Sequence, residues 1–388
     1  MRLDGFNKRT GIFIIVYHVL LIVAWALYFS YHTPSTKMVV TSIVLYFMTG
    51  LSITAGYHRY YAHTTYKTNR VVEAVLLFFA SMATQASALR WAFEHRLHHA
   101  YVDTERDPYS VQTGFWHAHI LWLFKKPAPI DNKVVADMLR NPLVVFQHNN
   151  YLFCMLSSNI IFFLLVGWAL DDYLGAFVIS WWTRLFCLHH STWFINSLAH
   201  YWGERSFCRE LSAVDNYIIS LLTFGEGYHN YHHTFANDYR NGIRWYHFDP
   251  TKWLIWVLSR FGLASGLKQM NQYHIKERLV TEQRNEILQR IQESIFSRKE
   301  ELIAYTATVT DGMIDKLNRA RQLVEEYTKS KKNKNATPEA LKRMKMEIKI
   351  IRKSIRYDWK QCCDFYKQVM KGRDPLPLIG RAPLVTGT

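Results

Sequence analysis

Eight of the chain's 18 histidines fall into three short stretches: His58 and His63 in HRYYAH, His95, His98 and His99 in EHRLHH, and His229, His232 and His233 in GEGYHNYHH. Two of the stretches share the spacing i, i+3, i+4, which on a helix stacks the side chains on one face, a turn apart. His58 and His63, five apart, straddle a turn less tightly and can still converge. Imidazoles crowded in this way repel one another when protonated and lose hydration when buried neutral. A bound metal removes both penalties. Eight nitrogens exceed the ordinary coordination number of one ion, so the pattern calls for two. Imidazole suits zinc, copper, iron and nickel alike, and the ligand set by itself does not choose among them. His18, His32, His117, His119, His148, His247 and His274 have no such spacing and are read as ordinary satisfied polar residues.

The elements that must position these clusters are apolar. Of 388 residues, 49% are hydrophobic and 15% aromatic. Four runs, at 11–30, 38–57, 151–170 and 174–199, approach the 20 or so residues that cross a bilayer. The fourth contains Arg184, His189 and His190, and ionisable groups at membrane depth face protein and not lipid. His189 and His190 are therefore expected to pack inside the bundle and not to reach the metals. Short turns, YHTPSTK and DDY, join the runs into two hairpins. Each hairpin returns the chain to its starting side, so all three histidine clusters share one side with the N-terminus. Arg2, Lys8 and Arg9 beside the first run, and the Lys- and Arg-rich larger segments, place that side in the cytosol by the positive-inside rule. Apolar stretches at 71–90, 213–224 and 250–263 are expected to lie in the membrane interface. The expected fold is an all-α integral membrane protein: four transmembrane helices in two hairpins, under a cytosolic helical cap that holds a di-metal centre.

Residues 266–388 are different material from the transmembrane domain expected over 1–265. From Leu267 onward there are 26 Lys+Arg against 15 Asp+Glu, so +11 of the chain's net +16 sits here. Leu288, Ile291, Ile295, Leu302 and Tyr305 recur at near-heptad spacing, and Leu341, Met344, Ile348, Ile351, Ile355 and Trp359 resume it after a polar break at 329–338. Thr337 before Pro338 is a helix-start signal. The pattern predicts two long helices in a coiled-coil-like antiparallel hairpin, either a solvated extension or an element for docking or self-association. No zinc-finger, RRM or helix-turn-helix signature accompanies the basic charge, which argues against nucleic acid. Five cysteines without paired spacing argue against a disulfide framework and a cysteine metal site. The first apolar run lacks a cleavage site and is read as a retained helix and not a signal peptide.

Clusters at an apolar boundary point to a lipid substrate, and carbon chains offer oxidation more than hydrolysis. The three histidine stretches, in order and approximate spacing, resemble the histidine boxes of membrane-bound fatty acyl desaturases of the Δ9, stearoyl-CoA desaturase-like group. DTERDPYS at 103–110 resembles the acidic run after the second box, and STWFINSLAH at 191–200 resembles the TWxxNSxxH signature. The resemblance covers about residues 10–265. It implies two iron ions held by His58, His63, His95, His98, His99, His200, His229, His232 and His233, with Asn196 reaching one iron through water. It implies dioxygen as co-substrate and a cis double bond formed in a long-chain acyl thioester held in a kinked apolar tunnel. Gln85, Trp91, Thr192 and Trp193 match family positions near the bend.

The second box departs from the animal pattern WARDHRAHH. Here it reads WAFEHRLHH: Glu94 keeps the acid and Phe93 replaces the arginine used toward the CoA head. Lys125 and Lys126 resemble a basic pair that meets CoA phosphates. Acyl-CoA leads as the expected substrate, with acyl-carrier-protein and phospholipid acyl chains open. No HPGG motif marks a fused haem domain, so electrons are expected from a separate ferredoxin or cytochrome b5 with its reductase. The short N-terminus favours a bacterial inner membrane, with the endoplasmic reticulum as the eukaryotic equivalent. A lipid or alkane hydroxylase of the same superfamily is the alternative. A histidine-rich metal transporter is disfavoured, because eight of the ligands lie outside the spans.

Overall fold

The computed structural model describes residues 5–296, 298–333 and 336–373. Arg2, Lys334, Asn335 and residues 374–388, all included in the expectations above, lie outside the described residues. The fold is helical and divides into two compact units, Met1–Gln269 and Met270–Thr388.

Three helices of the first unit are long and apolar enough to cross a bilayer: Lys8–Tyr31, Thr36–Ala62 and Tyr151–Leu170. Large apolar side chains such as Ile12, Ile22, Leu152 and Trp168 stand exposed along them, as expected of surfaces facing lipid. The first pair is joined by four residues, and Ser35 caps the second helix by accepting from the Met38 N–H. The third helix ends on Asp171 in the left-handed conformation. Asp172 then starts the next helix by accepting from the Gly175 N–H at 2.7 Å.

The fourth apolar run is helical over 173–200, but it is not one uniform α-helix. It passes through a π segment, Ala176–Thr183, an α segment, Arg184–Ser197, and a final 3-10 turn, Leu198–His200. Arg184 and the histidines keep it out of the group of apolar spans. Arg184 is buried, with its guanidinium donating to the Ser180 carbonyl at 2.9 Å and to Asn159 Oδ1 at 2.8 Å. The cation faces protein.

The stretch at 71–90 is two helices and a turn. Arg70–Ser81 ends before Thr84 and Ala86, both at positive φ, and Ser87 caps a new helix, Ala88–Tyr101, by accepting from the Arg90 N–H. Further on, Asp249 caps Pro250–Arg260, with Pro250 in the first turn where its missing N–H is not needed. A two-residue antiparallel ladder pairs Lys67–Thr68 with Ala264–Ser265 and ties together segments nearly 200 residues apart in the chain.

In the second unit the structure corrects the two-helix expectation: among the described residues there are three, Gln272–Glu293, Lys299–Asn333 and Pro338–Met370. The continuous periodicity through Ile295 was misleading. The first helix stops at Ser294, whose hydroxyl turns back onto the Ile291 carbonyl at 2.9 Å. Ile295 is fully exposed, while Phe296 takes the inward position against Ile287, Ile291, Leu302 and Phe365. Thr337 caps the last helix, as read from sequence.

Candidate metal centre

The first two histidines come from an unusual helix. After Leu51 the second span widens into a π-helix, Ser52–Ala62, and the His63 N–H bonds the His58 carbonyl, an i→i+5 contact, at 3.1 Å. Residues five apart on an α-helix differ by about 140° around the axis. Closing on i→i+5 bonds brings them nearly one above the other, so both imidazoles point the same way. His95, His98 and His99 project from Ala88–Tyr101, and His229, His232 and His233 from the short helix His229–Thr234. His200 ends the 3-10 turn.

Gly225 and Gly227 let the chain enter the last of these helices. Gly225 has φ +95°, and a Cβ on Gly227 would lie 2.3 Å from the Ser220 backbone nitrogen.

Among the described residues, nine histidines form two groups, each with ring nitrogens within 4.8 Å of one another: His58, His63, His95, His99 and His232, and then His98, His200, His229 and His233. Within the first group, Nε2 atoms of His63 and His95 stand 2.9 Å apart, and His232 Nε2 lies 3.0 Å from those of both His58 and His99. In the second, His233 Nε2 lies 3.2 Å from His98 Nε2 and 3.1 Å from His229 Nε2. Two nitrogens bound at about 2.1 Å to one ion at a right angle are about 3.0 Å apart, so these separations match the edges of a coordination shell.

The far sides of the rings explain why Nε2 is the free lone pair. His58 Nδ1 meets Glu226 Oε2 at 3.0 Å, and His98 Nδ1 meets Asp107 Oδ1 at 2.9 Å. A carboxylate can only accept, so each Nδ1 carries the proton and each Nε2 is left as a ligand atom. His200 Nδ1 meets Ser212 Oγ at 2.7 Å, and that hydroxyl spends its own proton on Asp103. His200 therefore also presents Nε2, which is buried with no partner among the described residues. Burial, reinforced by neighbouring imidazoles, pushes His95, His99, His229, His232 and His233 well below the ordinary histidine value, so the rings are neutral. Burial alone would raise the Glu226 carboxyl, but Arg59 and His58 outweigh it and hold it below its usual range. Arg59, itself buried, is shared between Glu226 and Asp249 at 2.9 and 3.0 Å. Neutral convergent Nε2 donors fit a pair of metal ions.

All seven substrate residues named from sequence, and Asn196, line one cavity of about 760 Å³ that reaches His58, His95 and His229. Lys125 and Lys126 lie on it together with Arg9 and Arg106. Trp91 stacks on His95 at 4.9 Å between ring centres. Gln85 donates to Thr192 at 2.9 Å, and Trp193 stacks on His189. Glu94 lies 3.8 Å from Arg90, and burial pushes its carboxyl up to about 7 against that cation. Phe93 is buried in the hydrophobic core.

His189 and His190 belong to neither histidine group. His189 meets the Ala83 carbonyl at 2.9 Å. His190 forms a chain that its sequence position did not announce: Nδ1 faces His119 Nε2 at 3.1 Å and Nε2 faces His18 Nε2 at 3.3 Å, while His119 Nδ1 faces Ser197 Oγ at 3.0 Å. His18 Nδ1 meets the Ile14 carbonyl at 2.7 Å. The carbonyl can only accept, so His18 donates from Nδ1 and is left to accept at Nε2 from His190. Glu226, Asp107, Asp103 and Ser212 were missed as functional residues. Their only advance signal was position, Glu226 inside GEGYHNYHH and Asp103 and Asp107 inside DTERDPYS.

The first unit thus sets two convergent histidine groups, compatible with a metal centre, beside a cavity. The fatty acid desaturase family model matches residues 34–264, and the chain belongs to that family. It is 39% identical over 249 residues to acyl-CoA desaturase 1 of Saccharomyces cerevisiae, covering 63% of this chain and 49% of that one. It is 40% identical over 269 residues to a probable acyl-CoA desaturase of Schizosaccharomyces pombe, covering 68% and 56%. Bovine stearoyl-CoA desaturase 5 matches at 34% over 244 residues, 60% of this chain and 72% of that one. The chain spans about half the length of the two yeast relatives. Three apolar helices and the family mark it as an integral membrane protein.

Proposed function

We propose that the chain is a di-iron fatty acyl desaturase that forms a cis double bond, of Δ9 type, in a long-chain acyl-CoA. The observation that carries this reading is the convergence of nine histidines into two groups, with His58, His95 and His229 lining the cavity. His58, His63, His95, His99 and His232 would hold one iron, and His98, His200, His229 and His233 the other, with Asn196 reaching one of them through water. When bound, the irons would supply dioxygen activation and the removal of two hydrogens from adjacent methylenes; with two electrons from a separate donor and two protons, the dioxygen leaves as two waters.

The chain's own residues hold the substrate still. Trp91, Thr192 and Trp193 wall the cavity beside the histidines, and Gln85 joined to Thr192 fixes a polar bridge across it. Such walls set which carbon pair lies at the metals, because positioning decides regiochemistry when every methylene is chemically alike. Lys125 and Lys126, with Arg9 and Arg106 nearby, suit the phosphates of a CoA head. Glu94 and the buried Phe93 leave that mouth with one arginine fewer than the animal pattern.

The proposed topology keeps four spans, with 173–200 as the fourth. Its Arg184 is shielded by neighbouring helices, and the catalytic cap lies on the cytosolic side. The catalytic domain is proposed as 1–265 and the extension as 266–388. Expression in a host lacking Δ9 desaturase tests the function. New monounsaturated acyl chains that vanish in His232→Ala support it, and hydroxylated chains in their place would assign a hydroxylase.

A further inference from the structure

The last helix, Pro338–Met370, has two faces with different occupants. Ile348, Ile355, Phe365 and Val369 are buried inside the three-helix unit. The opposite face keeps three large apolar side chains in the open: Met346 at 56%, Ile350 at 64% and Tyr357 at 56% exposure. At 100° per residue these three fall within about 40° of one another. They form a narrow stripe that no described residue of the unit covers.

Lys349, Lys353 and Arg356 are exposed along one flank of this stripe, and Lys342 and Lys360 extend that flank by a turn at either end. Arg343 stands on the other. The helix as a whole carries nine Lys+Arg and four Asp+Glu. Two of the acids are already engaged, Glu347 with Arg319 and Asp358 with Lys316. Among the described residues, the flanking lysines form none of the ion pairs that hold the unit together. A solvated helix face has no use for Ile350 and Tyr357 at its centre, and a hydrophobic protein interface disfavours a row of lysines beside them.

We propose that this face docks on an anionic lipid headgroup surface, with Met346, Ile350 and Tyr357 entering the headgroup and acyl boundary while the lysines and arginines meet lipid phosphates. Long basic side chains suit this arrangement, since their stems can lie along the apolar boundary with the charge in the headgroups. The chain already spans a membrane, so the lipid surface is present at high effective concentration and a weak contact suffices. The contact is electrostatic in part and weakens as salt shortens the Debye length from about 10 Å at 0.1 M to about 3 Å at 1 M. It does not depend on the desaturase reading.

The test uses the full chain, one copy per lipid nanodisc, and follows acetylation of individual lysines by mass spectrometry. In discs containing phosphatidylserine, Lys349 and Lys353 should react several-fold more slowly than in pure phosphatidylcholine discs. High salt, and the variant Ile350→Asp/Tyr357→Asp, should each abolish the difference. Both substituted positions are exposed. The buried Cys362 staying unreactive to iodoacetamide shows that the variant's tail has folded. Equal rates in the two lipids overturn the proposal. So does protection that needs two copies per disc, or that arises only on adding an acidic soluble protein.

Discussion

Replacing Glu226 by Gln tests how the centre is built. The carboxylate accepts from His58 Nδ1 at 3.0 Å and from Arg59 at 2.9 Å. Gln keeps the size and loses the charge that fixes the His58 tautomer. With His58 free to place its proton on Nε2, one of five ligands in the first group is weakened, while the second group keeps its own support from Asp107 and Ser212. Loss of such an orienting partner typically lowers metal affinity 10- to 100-fold, or about 1.4–2.8 kcal/mol. The confounding cost is Arg59, left buried with one carboxylate fewer. It retains Asp249 and donates to the Tyr239 carbonyl at 2.7 Å, so the fold keeps a counter-charge. Asp249→Asn supplies the control, because it also removes one carboxylate from Arg59 and does not touch His58. Iron retained after equilibration with a graded chelator, measured by elemental analysis, should fall in Glu226→Gln toward one ion per chain. In Asp249→Asn it should stay near the parent value. Equal iron loss in both variants would show that Glu226 acts through the fold and not through His58, and the reasoning would fail.

Other outcomes follow from the same geometry. Asp107→Asn should weaken the second histidine group by a similar 10- to 100-fold, seen as lower iron retention with His58 and its partners unaffected. Gly227→Ala places a Cβ 2.3 Å from the Ser220 nitrogen, and backbone cannot yield as a flexible side chain can. It should cost about 1–3 kcal/mol or more and lower the melting temperature in detergent. Gln85→Ala removes the bridge to Thr192 and should shift double-bond position or chain-length preference more than it lowers iron content, read by mass spectrometry of the products.

Much of the site was legible because its chemistry is carried by residue type at helical spacing. EHRLHH and GEGYHNYHH present three imidazoles each, and the structure places all of them together. What was not legible lies in contacts without a period. Glu226 stands 168 positions from His58, and nothing in spacing pairs them. The π-helix over Ser52–Ala62 has an apolar pattern that an α-helix would share, so His58 and His63 looked less well aligned than they are. His18, His119 and His190 come from three separate segments and meet only in the fold. In the tail, heptad periodicity ran through Ile295 without a glycine or proline to mark the break, and a serine turn that sequence leaves silent made two helices into three.

The central claim is that the nine histidines hold two irons that act together. Titrating the metal-depleted full chain with ferrous iron, and following acyl desaturation with a reducing system present, tests it most directly. Activity should stay low through the first equivalent and reach its plateau at two per chain. A plateau at one equivalent, or full activity without iron, would contradict the account.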